Sequence, residues 1–132
     1  MRAYDFTITA PNNHGSLVVL ADEMGREKIN IEGLFVVESG KEVQIHVLTT
    51  DRAATTTAVK KVGYKVIDEA EVVLANVENR PGMLADIIRP LADAHVSLTT
   101  TYLATDGRLV LGSGNLSALE AALKARPVTA NR

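Results

Sequence analysis

The 132-residue chain has no cysteine and no tryptophan, and only 4% of its residues are aromatic. Without cysteine there is no disulfide staple, no zinc–thiolate site and no cysteine nucleophile, which is compatible with the reducing cytoplasm, the expected location. No stretch approaches the roughly 20 apolar residues that span a bilayer. The N-terminus alternates polar and apolar residues and lacks the basic segment and apolar run of a signal peptide, so no membrane partner is expected. Basic charge is not in excess either. Lys and Arg number 14 against 16 Asp and Glu, for a net charge of -2, and no Lys/Arg stripe appears, so nucleic acid is not an expected partner. His14, His46 and His95 lie far apart without ligand spacing, and no metal or cofactor is expected. No nucleophile with a base and no carboxylate pair can be named, so the chain is not expected to be an enzyme.

What is present is a globular composition, 46% hydrophobic and 23% charged, with Val, Leu, Ile and Ala to build a core. It is arranged as a repeat. Asn12-x-x-Gly15-x-Leu17 returns as Asn79-x-x-Gly82-x-Leu84, an offset of 67 residues that also carries Ile29-Asn30-Ile31 onto Val96-Ser97-Leu98, Phe35 onto Tyr102 and Gly40 onto Gly107.

Each copy reads in one order. An alternating strand comes first, Tyr4–Ala10 and Val72–Val77. A helix follows, with an apolar stripe of Leu17, Leu20, Ala21 and Met24 in one copy and Leu84, Ile87, Ile88 and Leu91 in the other. Two strands joined at a glycine turn come next: Ile29–Glu38 with Lys41–Leu48, and Val96–Thr105 with Arg108–Gly112. A second helix is expected at Asp51–Val62 and at Ala118–Ala125, the latter with Ser117 and Glu120 as a capping box. Tyr64–Ile67 closes the first copy, whereas beyond Ala125 the second has only Arg126–Thr129, so its last strand is expected to be short, absent or supplied by another segment.

Strand–helix–strand–strand–helix–strand predicts an α+β fold of two tandem ferredoxin-like βαββαβ domains, residues 1–69 and 70–132, each an antiparallel sheet with its helices on one face. The joint Asp68–Glu71 lacks linker composition. Pro90 predicts a kink or an early end of its helix. Asp22, Glu23, Arg26, Glu27 and Lys28 read as a solvated helix face, and Gly112-Ser113-Gly114-Asn115 as a strand end and helix entry. In Thr99–Tyr102, alternate residues face opposite ways, and the run reads as strand propensity or a polar edge.

Val77-Glu78-Asn79-Arg80-Pro81-Gly82-Met83-Leu84, followed by Thr101-Tyr102-Leu103-Ala104-Thr105, resembles an ACT domain, and within that family the regulatory domain of D-3-phosphoglycerate dehydrogenase. The first copy is similar through Asn12-x-x-Gly15-x-Leu17 and Ile29-Asn30-Ile31. The resemblance implies a free amino acid held at an inter-domain interface, between the turn of one domain and the start of the second strand in a neighbouring one. By position the ligand-binding residues become Asn12, Asn13, His14 and Gly15 with Asn30 and Ile31, and Asn79, Arg80, Gly82, Met83 and Leu84 with Ser97 and Leu98. Ala10 and Val77 stand where the dehydrogenase has a serine-holding histidine, which argues against serine. A turn glycine, helix-start N–H groups and an asparagine suit a small zwitterion.

The expected function is therefore an amino-acid-binding regulatory or sensor protein, a homodimer or higher oligomer that acts on a biosynthetic enzyme. The alternative is a structural oligomerisation or docking module for a metabolic enzyme, with no ligand of its own.

Overall fold

The computed structural model describes residues 1–125. Arg126–Thr129, where the last strand is expected to be short, absent or supplied from elsewhere, lies outside these residues. The chain divides into two units, Arg2–Glu71 and, with Met1, the residues from Val72 onward.

The first unit contains β1 (Arg2–Pro11), α1 (Ser16–Arg26), β2 (Gly33–Ser39), β3 (Glu42–Thr49), α2 (Arg52–Lys61) and the start of β4 (Lys65–Asn76). Its strand order is β2-β3-β1-β4. β1 and β2 each pair antiparallel with β3, in registers running from Tyr4↔Thr49 to Pro11↔Glu42 and from Gly33↔Leu48 to Ser39↔Glu42. Alternation decides the faces: Phe6, Ile8 and Ala10 of β1 meet Ile45 and Val47 of β3, Leu20 and Met24 of α1 and Ala58 and Val59 of α2 in one core. Both helices thus cover the same face. Each large apolar side chain buried there contributes about 1.5–3 kcal/mol.

The second unit takes the rest of β4, then α3 (Met83–Asp93), β5 (Thr100–Ala104), β6 (Arg108–Gly112) and α4 (Leu116–Lys124). Its strand order is β4-β6-β5, antiparallel throughout, and Val73, Leu109 and Leu111 pack with Met83, Ile87, Leu91, Leu119 and Ala122. The chain is therefore α+β, with four helices among the described residues.

Several expectations are corrected. The residues Ile29–Glu32 and Val96–Thr99 are not strand; they lead into β2 and β5, which start at Gly33 and Thr100. The buried stripe of each first helix begins one residue early, at Ser16 and Met83, leaving Leu17 and Leu84 38% and 47% exposed. That rotation also buries Glu23 (8% exposed), which bonds Arg26 at 2.9 Å and stands 3.8 Å from Lys61, so the charged run is not wholly a solvated face.

α3 runs three residues past Pro90 and matches α1 in length at 11 residues; Leu91, fully buried just beyond the proline, holds the last turn to the core. Asn115, not Ser117, caps α4: its side chain accepts from the Ala118 N–H at 3.0 Å. Asp51 does the same for α2 through Ala54 N–H. From Asp51 to Asn115 the spacing is three short of 67 because β6 has 5 residues where β3 has 8. Asp68–Glu71, expected as a joint, is strand within β4.

Candidate functional site

In the first unit the β1–α1 turn is held by its own side chains. The Asn12 N–H donates to the Lys41 carbonyl at 2.9 Å, and its Nδ2 donates to Glu38 Oε2 at 2.8 Å and to the Gly40 carbonyl at 3.0 Å. The amide therefore ties the turn to the β2–β3 hairpin. Asn13 Oδ1 accepts from the N–H groups of Gly15 (2.9 Å) and Ser16 (3.0 Å), so two donors expected to face a ligand are already satisfied. The Ser16 hydroxyl donates to the Pro11 carbonyl. Gly15, at φ -102, is in ordinary helical space, and a Cβ there would meet only Asn13 Oδ1 at 3.8 Å. His14 is exposed on the same turn.

Asn30 and Ile31 lie at the other end of this unit. Ile31 packs on the first core, and exposed Asn30 donates to Glu32, whose N–H donates to Leu48 at the Gly33↔Leu48 end of the hairpin. β1 runs from Tyr4 at that end to Pro11 at the turn, roughly 23 Å at about 3.3 Å per residue. A single unit does not bring Asn12 and Asn30 together.

In the second unit Gly82 adopts φ 85, where a side chain would be strained, and α3 starts directly after it. Arg80 Nη2 bonds Asp86 Oδ2 at 2.8 Å, and its Nε lies 3.4 Å from Glu78 Oε2, so the guanidinium clamps the turn to the helix. Asn79 is exposed and makes no hydrogen bond to another described residue. Met83 belongs to the core, Leu84 is exposed, Ser97 is exposed and Leu98 packs on the core.

Two groupings were not legible from motifs. The first is on the face of β1 and β3 away from the helices: buried Asp5 lies 3.5 Å and Thr7 3.3 Å from the same His46 nitrogen, Nδ1, and Phe35 stacks on the imidazole at 4.0 Å. A nucleophile–base–carboxylate relay uses the two ring nitrogens for two different partners. Here both partners share one nitrogen, and no relay is formed. The second is a pocket of about 330 Å³ at the end of β1, lined by Thr9, Ala10, Pro11, Lys41, Glu42, Gly63, Tyr64 and Lys65. Among the described residues no cluster of three or more His, Asp or Glu side chains could hold a metal ion, and no helix is long and apolar enough to cross a membrane.

No family profile and no curated protein matches the sequence. Solved structures do match in fold. A protein from Bacteroides thetaiotaomicron superposes with a TM-score of 0.81 at 24% identity, over 94% of this chain and 88% of its own. The ligand-free regulatory subunit of aspartate kinase from Thermus thermophilus superposes at 0.70 and 15% identity, over 94% and 89% of the two chains. The regulatory subunit of aspartate kinase from Thermus flavus gives 0.60 and 14%, over 94% and 89%. In fold the chain resembles these regulatory subunits of aspartate kinase.

Proposed function

We propose that the chain is an amino-acid-responsive regulatory protein made of two tandem ACT-type units, residues 1–69 and 70–132, carrying out no chemistry of its own. The observation that supports this best is that the likeness to regulatory subunits runs along nearly the full length of both chains. Binding would be read out by an enzyme of amino-acid metabolism, as the neighbours are regulatory subunits of one. The open amide of Asn79 suits a zwitterion, and residues from outside its own unit would complete the site, as the separation of Asn12 from Asn30 requires in the first unit. We place the working form in the cytoplasm as a homodimer or higher oligomer.

A second reading keeps the fold and removes the ligand: the units serve only to assemble an enzyme. The internal bonding of Asn12 and Asn13 favours it, because both amides are committed to the fold. Thermal melting of the chain with each common amino acid separates the two. A ligand at 100 times its Kd adds about 2.7 kcal/mol to the stability of the native state. Regulation by an amino acid requires at least one to raise Tm with increasing concentration. If none does, the assembly reading stands.

A further inference from the structure

The pocket at the end of β1 carries a charge set that neither turn offers. The order β3-β1-β4 puts the start of β3 on one side of β1 and the start of β4 on the other. Lys41 and Glu42 therefore line the pocket with Lys65, around Thr9, Ala10 and Pro11. All three charged residues are exposed, and none of their side-chain charges has a hydrogen-bond or ion-pair partner among the described residues. Elsewhere in this unit Arg2 is paired with Glu71, Arg26 with Glu23, Arg52 with Glu69 and Lys61 with Glu27.

We infer that this pocket binds an acidic amino acid, with Lys41 and Lys65 each holding a carboxylate and Glu42 the ammonium group. The inference rests on the amino-acid reading above and names both the ligand class and the place. Two cations and one anion on the wall are the complement of two carboxylates and one ammonium. A basic amino acid would set two cations against two lysines, and a plain dicarboxylate would leave Glu42 facing negative charge. At about 330 Å³ the pocket is at the small end of ligand sites, suited to a compact polar metabolite.

The walls are positioned in advance. α2 ends in a turn where Gly63 takes φ 79, and the N–H groups of Gly63 and Tyr64 return to the carbonyls of Lys60 and Val59. The ring of Tyr64 then packs on the first core, and its hydroxyl donates to the Ser16 carbonyl at 3.0 Å. Lys65, the next residue, opens β4 at the pocket rim. Ser16 starts α1, so Tyr64 ties the pocket wall to the helix start that Asn13 caps.

Titration calorimetry on the full chain tests this with L-glutamate, L-aspartate, L-glutamine, L-lysine and glutarate. Glutamate or aspartate should bind more tightly than the neutral and basic amino acids. Lys41→Gln and Lys65→Gln should each weaken that binding by about tenfold or more, as expected for one bond to a charged group. Glu42→Gln should narrow the preference for glutamate over glutarate. Each site is exposed, and unchanged melting temperatures without ligand confirm that the variants fold. If glutamine or lysine binds best, or if both lysine variants bind glutamate as the parent does, the pocket assignment is wrong while the amino-acid reading survives. If no amino acid in the wider panel binds, both are wrong.

Discussion

Lys28 and His95, 67 positions apart, hold the same left-handed backbone, each at φ 58. Each follows a first helix and closes it in the same way. Ile29 N–H reaches the Met24 carbonyl and Lys28 N–H that of Gly25, while Val96 N–H reaches Leu91 and His95 N–H reaches Ala92. This is the paired-bond ending that glycine usually provides, yet neither position holds glycine. The left-handed conformation costs a residue with a side chain about 1–2 kcal/mol. His95→Gly should therefore leave stability unchanged or raise it by up to about 1 kcal/mol, the relief being partly offset by the freer unfolded chain. His95→Val should lower it. Urea denaturation of the two variants checks the order, and a glycine variant less stable than the valine one would refute the account.

The two turn asparagines should separate in their effect on folding. Asn12 bonds Glu38 and Gly40, whereas Asn79 bonds no described residue. Asn12→Ala should cost about 1 kcal/mol, near the net value of ordinary hydrogen bonds, and Asn79→Ala should stay within about 0.5 kcal/mol of the parent. Asn13→Ala removes a helix cap and should cost about 1 kcal/mol. Equal loss from Asn12→Ala and Asn79→Ala, measured by chemical denaturation, would contradict this.

Gly112 ends β6 against the segment entering β5. A Cβ on it would lie 3.0 Å from Thr99 Oγ1 and 3.3 Å from Thr100 Cβ. The hydroxyl can turn away, but Cβ of Thr100 is fixed to the backbone. Gly112→Ala should destabilise by about 1–3 kcal/mol, and Thr99→Ala in the same chain should recover only part of it. Full recovery in a double-mutant cycle would locate the whole clash at the hydroxyl.

Arg52 opens α2 and bonds Glu69 of β4 at 2.6 Å, which holds the Glu69 carboxyl below the usual carboxylate range. A depressed carboxyl stabilises the fold above its unfolded value and loses that contribution as the pH falls through the folded one. Both groups are solvent-accessible, so the effect is small. Glu69→Gln should leave a slightly shallower loss of stability in acid and little change near neutrality. Stability followed from neutral pH to below 4 by thermal melting checks the sign. A steeper acid loss in the variant would reverse it.

Local chemistry carries most of the elements that were readable in advance. The alternation of Phe6, Ile8 and Ala10 with Asp5, Thr7 and Thr9 marks β1 as a strand with one apolar face, because adjacent residues of a strand face opposite ways. Glycine at 40 and 107 marks the hairpins through positive φ, and Asp51 marks the start of α2. The helix start at Asn115 was equally local, yet the 67-residue offset carries Asp51 onto Ala118, beside the Ser117–Glu120 spacing of a capping box, because the shortening of β6 is not written as a gap in a single sequence.

The sequence by itself determined the α+β character, the order of strands and helices and the positions of the turns, since these follow from periodicity and from what glycine, asparagine and proline permit within a few residues. Only the tertiary structure decided which side chains are free to act. Asn12, a candidate by position, is committed to Glu38 and Gly40 because the hairpin folds back beside its turn. Lys41, Glu42 and Lys65 look like unrelated surface charges along the chain, and they meet because the sheet places the starts of β3 and β4 on either side of β1. Side-chain commitment and charge proximity depend on contacts between residues distant in sequence, and those contacts exist only once the strands have paired.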